Sequence, residues 1–363
     1  MTTSINRLQH HLKENDIDIA YLHSPANIAY FTNFLSDPHE RVLGLFIFPD
    51  QDPFLFTPEL DKDDAKKSGW PYPIYGYKDS EDPYALIYKH VTDRISSPKN
   101  IGIETDEIPY GRFMQLGDRF DKANPVDITS TINQMRLIKQ PDEIEEMILA
   151  GKSADLALQI GFDALEVGIS ESAVVAEIEY EMKKRGISMS FATEVLFGGH
   201  AANPHGVPGE RTLQKGEFAL FDLGTYHNRY ASDVTRTFSF GDASDEHRKV
   251  YDVVLEANEK AMAAVKPGVT ASSIDQIARE IIENAGYGEY FTHRTGHGIG
   301  QSIHEFPSIV VGNDMVIQEG MCFSVEPGIY IPDEVGVRIE DCLYVTADGA
   351  VPFTELSKSF TQK

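Results

Sequence analysis

Apolar and polar positions alternate along this chain in two regimes. Up to residue 130 or so, short apolar runs are separated by helical patterns. The spacing predicts a helix over 6–14, a strand over 17–22, a continuous apolar strand over 42–48 (VLGLFIF), a helix over 82–95 and a strand over 101–104. Strands alternating with helices imply a sheet covered by helices, an α/β arrangement. Asp, Pro and Lys crowd 49–67, which reads as loop and surface helix. A hinge is expected over 132–141, dividing the chain into domains at 1–131 and 132–363. Beyond it, Pro141-Asp-Glu-Ile-Glu-Glu opens a helix, with proline in the first turn and acids at the positive end.

The second regime repeats itself. Gly168-Ile-Ser170 begins a helical pattern that stops at Gly186, and Gly268-Val-Thr270 begins another that stops at Gly286, one hundred residues on at both ends. Ser170 and Thr270 can cap the helix starts, and glycine can take the left-handed turn at the ends. Six residues separate Gly216 from Asp222, and six separate Gly320 from Glu326. Two related halves, each of two helices and a strand pair, are therefore expected to meet across a crevice with pseudo-two-fold symmetry.

Composition narrows the partners. At 363 residues, two domains are the default. A formal net charge of -25 repels phosphate backbones and anionic lipid, which argues against nucleic acid and membrane partners. Bound metal would neutralise some of it. The two cysteines, Cys322 and Cys342, lie in apolar runs and read as buried reduced thiols, with no disulfide framework. The N-terminal Met1-Thr-Thr-Ser and the amphipathic stretch after it lack a signal core, and no apolar run approaches the ~20 residues of a membrane span. A cytoplasmic protein is expected.

Candidate chemistry gathers in two hairpins. The runs FALFDLGT and ASDVTRTF flank a polar turn at His227-Asn228. Symmetry about that turn sets Asp222 directly opposite Asp233. Like charges so placed are destabilising, so the pair calls for a cation or a shared proton. Symmetry about Asp333 likewise sets Glu326 opposite Glu340. Between the hairpins, Thr295-Gly-His297-Gly-Ile-Gly300 lets backbone approach a ligand closely and offers His297 as a metal ligand. His304 follows as a substrate contact. Asn203-Pro-His205-Gly precedes the first hairpin much as His304 precedes the second, so His205 and His304 can face each other across the crevice. Four carboxylates and one imidazole make an oxygen-rich set that two divalent cations balance. The set is unlike a structural zinc site, and ligand type does not choose among manganese, cobalt, iron and zinc. Two such ions suit hydrolysis.

The ordered set FDLG, SDVTRT, TGHGIG, EPG and RIED resembles the pita-bread metallopeptidases, which include methionine aminopeptidase, aminopeptidase P and prolidase. The resemblance covers Arg136 to the C-terminus. Met135-Arg-Leu-Ile-Lys-Gln-Pro-Asp-Glu-Ile is similar to the linker of the proline-specific members, and the segment from Asp18 to Phe31 is similar to their creatinase-type N-terminal domain. The resemblance implies an α/β creatinase-like N-terminal domain and an α+β pita-bread catalytic domain. It implies that Asp222 chelates one metal, Asp233 and Glu340 bridge both, and His297 and Glu326 hold the second. Glu326 would shuttle a proton for a metal-bridging hydroxide nucleophile, while His205 and His304 would bind substrate and stabilise the tetrahedral intermediate. Arg338, two residues before Glu340 and on the same strand face, is expected to contact a carboxylate or pair ionically. His39, in Asp37-Pro-His39-Glu-Arg41, would approach the substrate end of the cleft, often across a homodimer in this family. The implied activity is Xaa-Pro dipeptide hydrolysis with manganese as the first choice of metal and cobalt, zinc or iron as others. Aminopeptidase P on longer peptides is the alternative, and a non-catalytic pita-bread binding protein a minor one. Creatinase lacks the metal set present here.

Overall fold

The continuous apolar run over 42–48 is buried on both sides because it forms a strand in the interior of a sheet. In the computed structural model, which describes residues 2–363, this strand belongs to the first of two units that divide between Arg136 and Leu137. Met1, where the segment read as lacking a signal core begins, lies outside the described residues. In chain order the N-terminal unit runs α1 (Thr2–Glu14), β1 (Ile19–Leu22), α2 (Pro25–Thr32), β2 (Gly44–Ile47), β3 (Phe54–Pro58), α3 (Lys62–Lys67), β4 (Ile74–Tyr77), α4 (Pro83–Thr92), β5 (Asn100–Ile103), α5 (Tyr110–Arg119), β6 (Asn124–Asp127) and α6 (Thr129–Leu137). The sheet order is β4-β3-β2-β1-β5-β6. Alternate residues feed two cores. Ala20, Leu22, Leu45, Ile47 and Leu55 face α1, α2 and α6, while Ile19, Tyr21, Phe46, Phe54 and Phe56 face α4 and α5. A strand buried on both faces has no polar alternation to display.

Two expectations need correction here. The segment 49–67 is more than loop and surface helix: it holds β3, all five residues of which are buried between β2 and β4. The division between the units falls inside the expected segment 132–141 but at Arg136–Leu137, later than residue 131, because α6 runs to Leu137 and buries Ile132 and Met135 in the N-terminal core.

The second unit, 137–363, is built twice over. Its first half has α7 (Pro141–Ala164), α8 (Glu171–Lys184), β7 (Ser188–Met189), β8 (Glu194–Phe197), β9 (Glu217–Leu223), β10 (Thr225–His227), β11 (Tyr230–Ala231) and β12 (Val234–Phe240). Its second half has α9 (Asp245–Ala264), α10 (Ala271–Asn284), β13 (Gly296–Gly298), β14 (Glu305–Ile309), β15 (Cys322–Val325), β16 (Gly328–Ile331), β17 (Val335–Arg338), β18 (Asp341–Val345) and β19 (Ala350–Pro352). Ser170 Oγ accepts from Ala173 N and Thr270 Oγ1 from Ser273 N, capping helices of 14 residues each. Gly186 and Gly286 close them at φ 74° and 90°. Matching isolated bridges, Ser170 to Thr212 and Thr270 to Val316, tie each helix start to the segment before its hairpin. Each half has its own core, with α7 and α8 covering β8, β9 and β12, and α9 and α10 covering β15, β17 and β18. The halves are joined by a buried ion pair, Arg236 Nη2 to Asp341 Oδ1 at 2.7 Å, and by Arg236 Nη1 donating to Glu340 O at 2.5 Å. Cys322 and Cys342 are buried free thiols. Among the described residues no helix is long and apolar enough to cross a membrane.

Candidate metal centre and active-site cavity

Strand alternation sends polar side chains to one place. On β9, Ala219, Phe221 and Leu223 pack against the helices, so Leu220 and Asp222 point the other way. On β15, Phe323 and Val325 enter the helix-covered core, so Ser324, and then Glu326 beyond the strand end, take the opposite face. β13 runs antiparallel to β15, and His297 N donates to Ser324 Oγ at 3.0 Å, which seats His297 beside Glu326.

The first hairpin departs from the expected register. Its turn is Asn228-Arg229, both at positive φ (40° and 76°), one residue later than predicted. Asp222 therefore pairs with Thr235, and Val234 with Leu223. A symmetry point moved by one residue moves the partner by two, so Asp233 stays on the Asp222 face but lies diagonally from it. The second hairpin follows the expected symmetry. Gly328 pairs with Arg338 on one side of a short break and Val325 with Asp341 on the other, placing Glu326 and Glu340 opposite each other within the break.

Asp233, His297 and Glu340 are buried and bring one ligand atom each within 4.8 Å of one another. Glu326 Oε1 lies 3.4 Å from His297 Nε2, and Asp233 Oδ2 lies 3.6 Å from it. The His297 Nδ1–H donates to its neighbour's carbonyl, Gly298 O, at 3.1 Å, which leaves the Nε2 lone pair aimed at the carboxylates. Burial, then the nearby His304, lowers the His297 pKa to about 3, so the ring is neutral. Burial raises the Asp233 carboxyl well above its ordinary value, with Asp222 and Glu326 pushing the same way. Burial raises Glu340 likewise, helped by Asp233, Glu326 and Asp222. Oδ1 of Asp222, Oδ1 of Asp233 and Oε1 of Glu340 are buried without a hydrogen-bond partner. Uncompensated buried carboxylates cost several kcal/mol each by order of magnitude. Unpaired oxygens converging with a neutral imidazole fit a divalent cation, which would satisfy them together.

The cluster opens into a cavity of about 700 Å³. Asp222 lines it, with Oδ2 accepting from Arg338 Nη2 at 2.5 Å. Arg338 also donates from Nε to Thr235 Oγ1 at 3.0 Å, and Thr235 Oγ1 donates to Glu340 Oε2 at 2.7 Å, so Arg338 and Glu340 share a face as expected. His205 and His304 both line the cavity, and the His304 ring stands edge-on to His297 with centroids 4.2 Å apart. His39 is an exposed residue of the N-terminal unit at φ 55°, with Nδ1 3.6 Å from Asp37 Oδ2.

Three ionisable cavity-lining residues, Glu194, His293 and Arg294, were missed by the sequence reading. Glu194 pairs directly with Asp222 across β8 and β9, and burial, then Asp222, raises its carboxyl to about 7. His293 Nε2 accepts from Tyr330 Oη at 2.9 Å, and Arg338 Nη1 donates to the same Oη at 2.8 Å. Arg294 donates to Ser308 Oγ at 2.9 Å. His293-Arg294 directly precede TGHGIG, which was a usable signal; nothing in the sequence around Glu194 marks it.

A duplicated α+β unit with an oxygen-rich cation site where its halves meet is a metallohydrolase of the pita-bread type. The chain belongs to metallopeptidase family M24: that family's model matches residues 145–347, and the Creatinase/Prolidase N-terminal domain matches residues 5–138. It is 48% identical over 358 residues to the Xaa-Pro dipeptidase of Lactobacillus helveticus, covering 98% of this chain and 97% of the relative. The Xaa-Pro dipeptidase of Lactobacillus delbrueckii subsp. lactis gives the same 48% identity and the same coverage. Among solved structures, the prolidase from Thermococcus sibiricus matches with a TM-score of 0.93 at 33% identity, over 99% of this chain and 98% of that one. The Xaa-Pro dipeptidase from Bacillus anthracis matches with a TM-score of 0.92 at 32% identity, over 100% and 99%. Membership of a metallopeptidase family implies divalent metal ions.

Proposed function

We propose that this chain is an Xaa-Pro dipeptidase that works with two divalent ions, manganese first, held by Asp222, Asp233, His297, Glu326 and Glu340. The observation that carries the reading is the buried group of Asp233, His297 and Glu340 with its unpaired carboxylate oxygens. Whole-length similarity to Xaa-Pro dipeptidases supports the substrate class. When bound, the ions supply Lewis-acid polarisation of the scissile carbonyl and a water of lowered pKa. The chain's own groups do the rest. Without bound ions, burial raises the Glu326 carboxyl to about 7, with Arg338 opposing and Asp222 adding to the rise. The nitrogen of an Xaa-Pro bond carries no hydrogen, and the departing proline needs one; we assign its delivery to Glu326. His205 and His304 donate to the carbonyl oxygen as charge develops there. The chain Arg338–Tyr330–His293 fixes Asp222 from behind. His39 acts at the substrate end from the N-terminal domain, 1–131, within a cytoplasmic homodimer. The test is elemental analysis of the purified protein with rates on Ala-Pro and Ala-Pro-Ala under saturating manganese. About two ions per chain and faster cleavage of Ala-Pro are expected. Faster cleavage of the tripeptide overturns the dipeptidase reading, and a protein holding no metal and lacking activity overturns both.

A further inference from the structure

Resting on the reading of Glu326 and Glu340 as metal ligands, we infer that Asn258 is a positioning residue for both, tying together the two strands that carry them. Asn258 is fully buried on α9, on a helix face it shares with Val250, Val254, Ala257 and Ala261. A carboxamide in such company costs stability unless its polar atoms are paired. Both are paired here. Nδ2 donates to Val325 O at 2.8 Å and to Ile339 O at 3.1 Å, and Oδ1 accepts from Lys358 Nζ at 2.8 Å. These partners fix which way the amide faces, because carbonyls only accept and an ammonium only donates.

The two carbonyls belong to the residues immediately before Glu326 and Glu340. Pairing of β15 with β18 ends at Val325 and Asp341, and pairing of β16 with β17 resumes at Gly328 and Arg338. In the break between them the two ligand-bearing backbones turn to other strands: Glu326 N donates to Thr295 O at 2.7 Å and Glu340 N to Thr235 O at 3.1 Å. Asn258 Nδ2 bridges them across that break from the helix side. Opposed carboxylates repel each other, so their spacing needs a neutral group outside the cluster to set it. Lys358 also pairs with Asp341 Oδ2 at 2.9 Å, so the C-terminal segment fixes the amide and the Glu340 strand together.

The experiment titrates manganese into the metal-free full chain by calorimetry and compares the wild type with three variants. Asn258→Leu nearly keeps the volume and removes the amide. Lys358→Met leaves the amide and removes the donor that orients it. Val254→Ala removes buried packing from the same helix face without touching the break. Losing a group that orients metal ligands weakens metal binding ~10–100-fold, and Asn258→Leu should raise the manganese Kd by about that much. Lys358→Met should shift it the same way by less, and add nothing in the Asn258→Leu background. Val254→Ala should lower the melting temperature and leave the Kd unchanged. Wild-type affinity in Asn258→Leu overturns the assignment, and so does an equal loss in Val254→Ala, which would make the effect one of general stability. Should Asn258→Leu not fold, Lys358→Met against Val254→Ala carries the same decision. If the wild type itself binds no manganese, the ligand reading falls alone. Crystal structures of the metal-free proteins then decide: Asn258→Leu must move Val325 and Ile339 apart, and an unchanged break overturns the clamp.

Discussion

In the proposed metal site, Asp233 serves function at the expense of stability. It sits 5% exposed among other carboxylates, with its proton affinity raised by burial and by its neighbours. Asp233→Asn keeps the shape and removes the charge. Losing a residue that only orients a metal ligand costs ~10–100-fold, so losing Asp233 as a ligand is expected to lower turnover by more than about a hundredfold. Manganese content, measured by elemental analysis, should fall with it. The metal-free variant should melt at or above the metal-free wild type at pH 8, because one crowded negative charge is gone. A variant with normal metal content and near-normal turnover would remove Asp233 from the ligand set.

At the scale of elements, each half-repeat holds its cavity segment with one fully buried helix carboxylate. In the second half, Asp275 on α10 accepts from Thr295 N at 3.1 Å and Thr295 Oγ1 at 2.7 Å. It also pairs with Arg279, which donates to Phe291 O and His293 O. Thr295 O in turn accepts from Glu326 N at 2.7 Å, so the clamp reaches both flanks of His297. In the first half, Glu171 on α8 accepts from Phe197 N, His200 Nδ1 and Gly209 N, the two ends of the segment that carries His205. Asp275→Asn is expected to cost about 1.5–3 kcal/mol in urea unfolding and to lower metal occupancy, since hydrogen bonds to a charged group are lost. Glu171→Gln should cost a similar amount, about 1.5–3 kcal/mol, yet act on KM and leave metal content unchanged. The reverse assignment of the two readouts would break the parallel.

The same scale explains what the sequence made visible. Helix caps and glycine stops depend on single residues, so α8 and α10 were legible from Ser170, Gly186, Thr270 and Gly286. Hairpin register depends on which residues adopt positive φ. Asp333 alone does so in the second turn, and the symmetry point was read correctly there. In the first turn Arg229 takes φ 76°, a conformation that an arginine does not advertise, and the symmetry point slipped by one residue. Period-two alternation keeps faces when a partner shifts by two, which is why Asp222 and Asp233 were still assigned to one site. β3 was hidden because Asp, Pro and Lys mark its ends while its five residues are buried. Glu194 was hidden because its meaning comes only from a strand partner 28 residues away.

For the whole molecule, metal binding and stability are one linked equilibrium. Asp233 and Glu340 have raised proton affinities in the folded state, and Glu326 is raised to about 7 from an ordinary 4.5. Acids raised on folding favour the fold while they are protonated in both states, and that advantage is lost as pH rises through the folded value. For Glu326 the loss runs from about 4.5 up to about 7. The metal-free protein should therefore lose stability from this site between pH 5.5 and pH 8. Bound divalent ions reverse the sign, because they favour the ionised carboxylates and protons compete with them. A ligand at a hundredfold excess over its Kd stabilises by about 2.7 kcal/mol. The drop in melting temperature on adding a chelator should then be larger at pH 8 than at pH 5.5, measured by scanning calorimetry with manganese in fixed excess beforehand. An equal drop at both pH values would mean that these carboxylates do not titrate with the metal, and the five-ligand site would have to be redrawn.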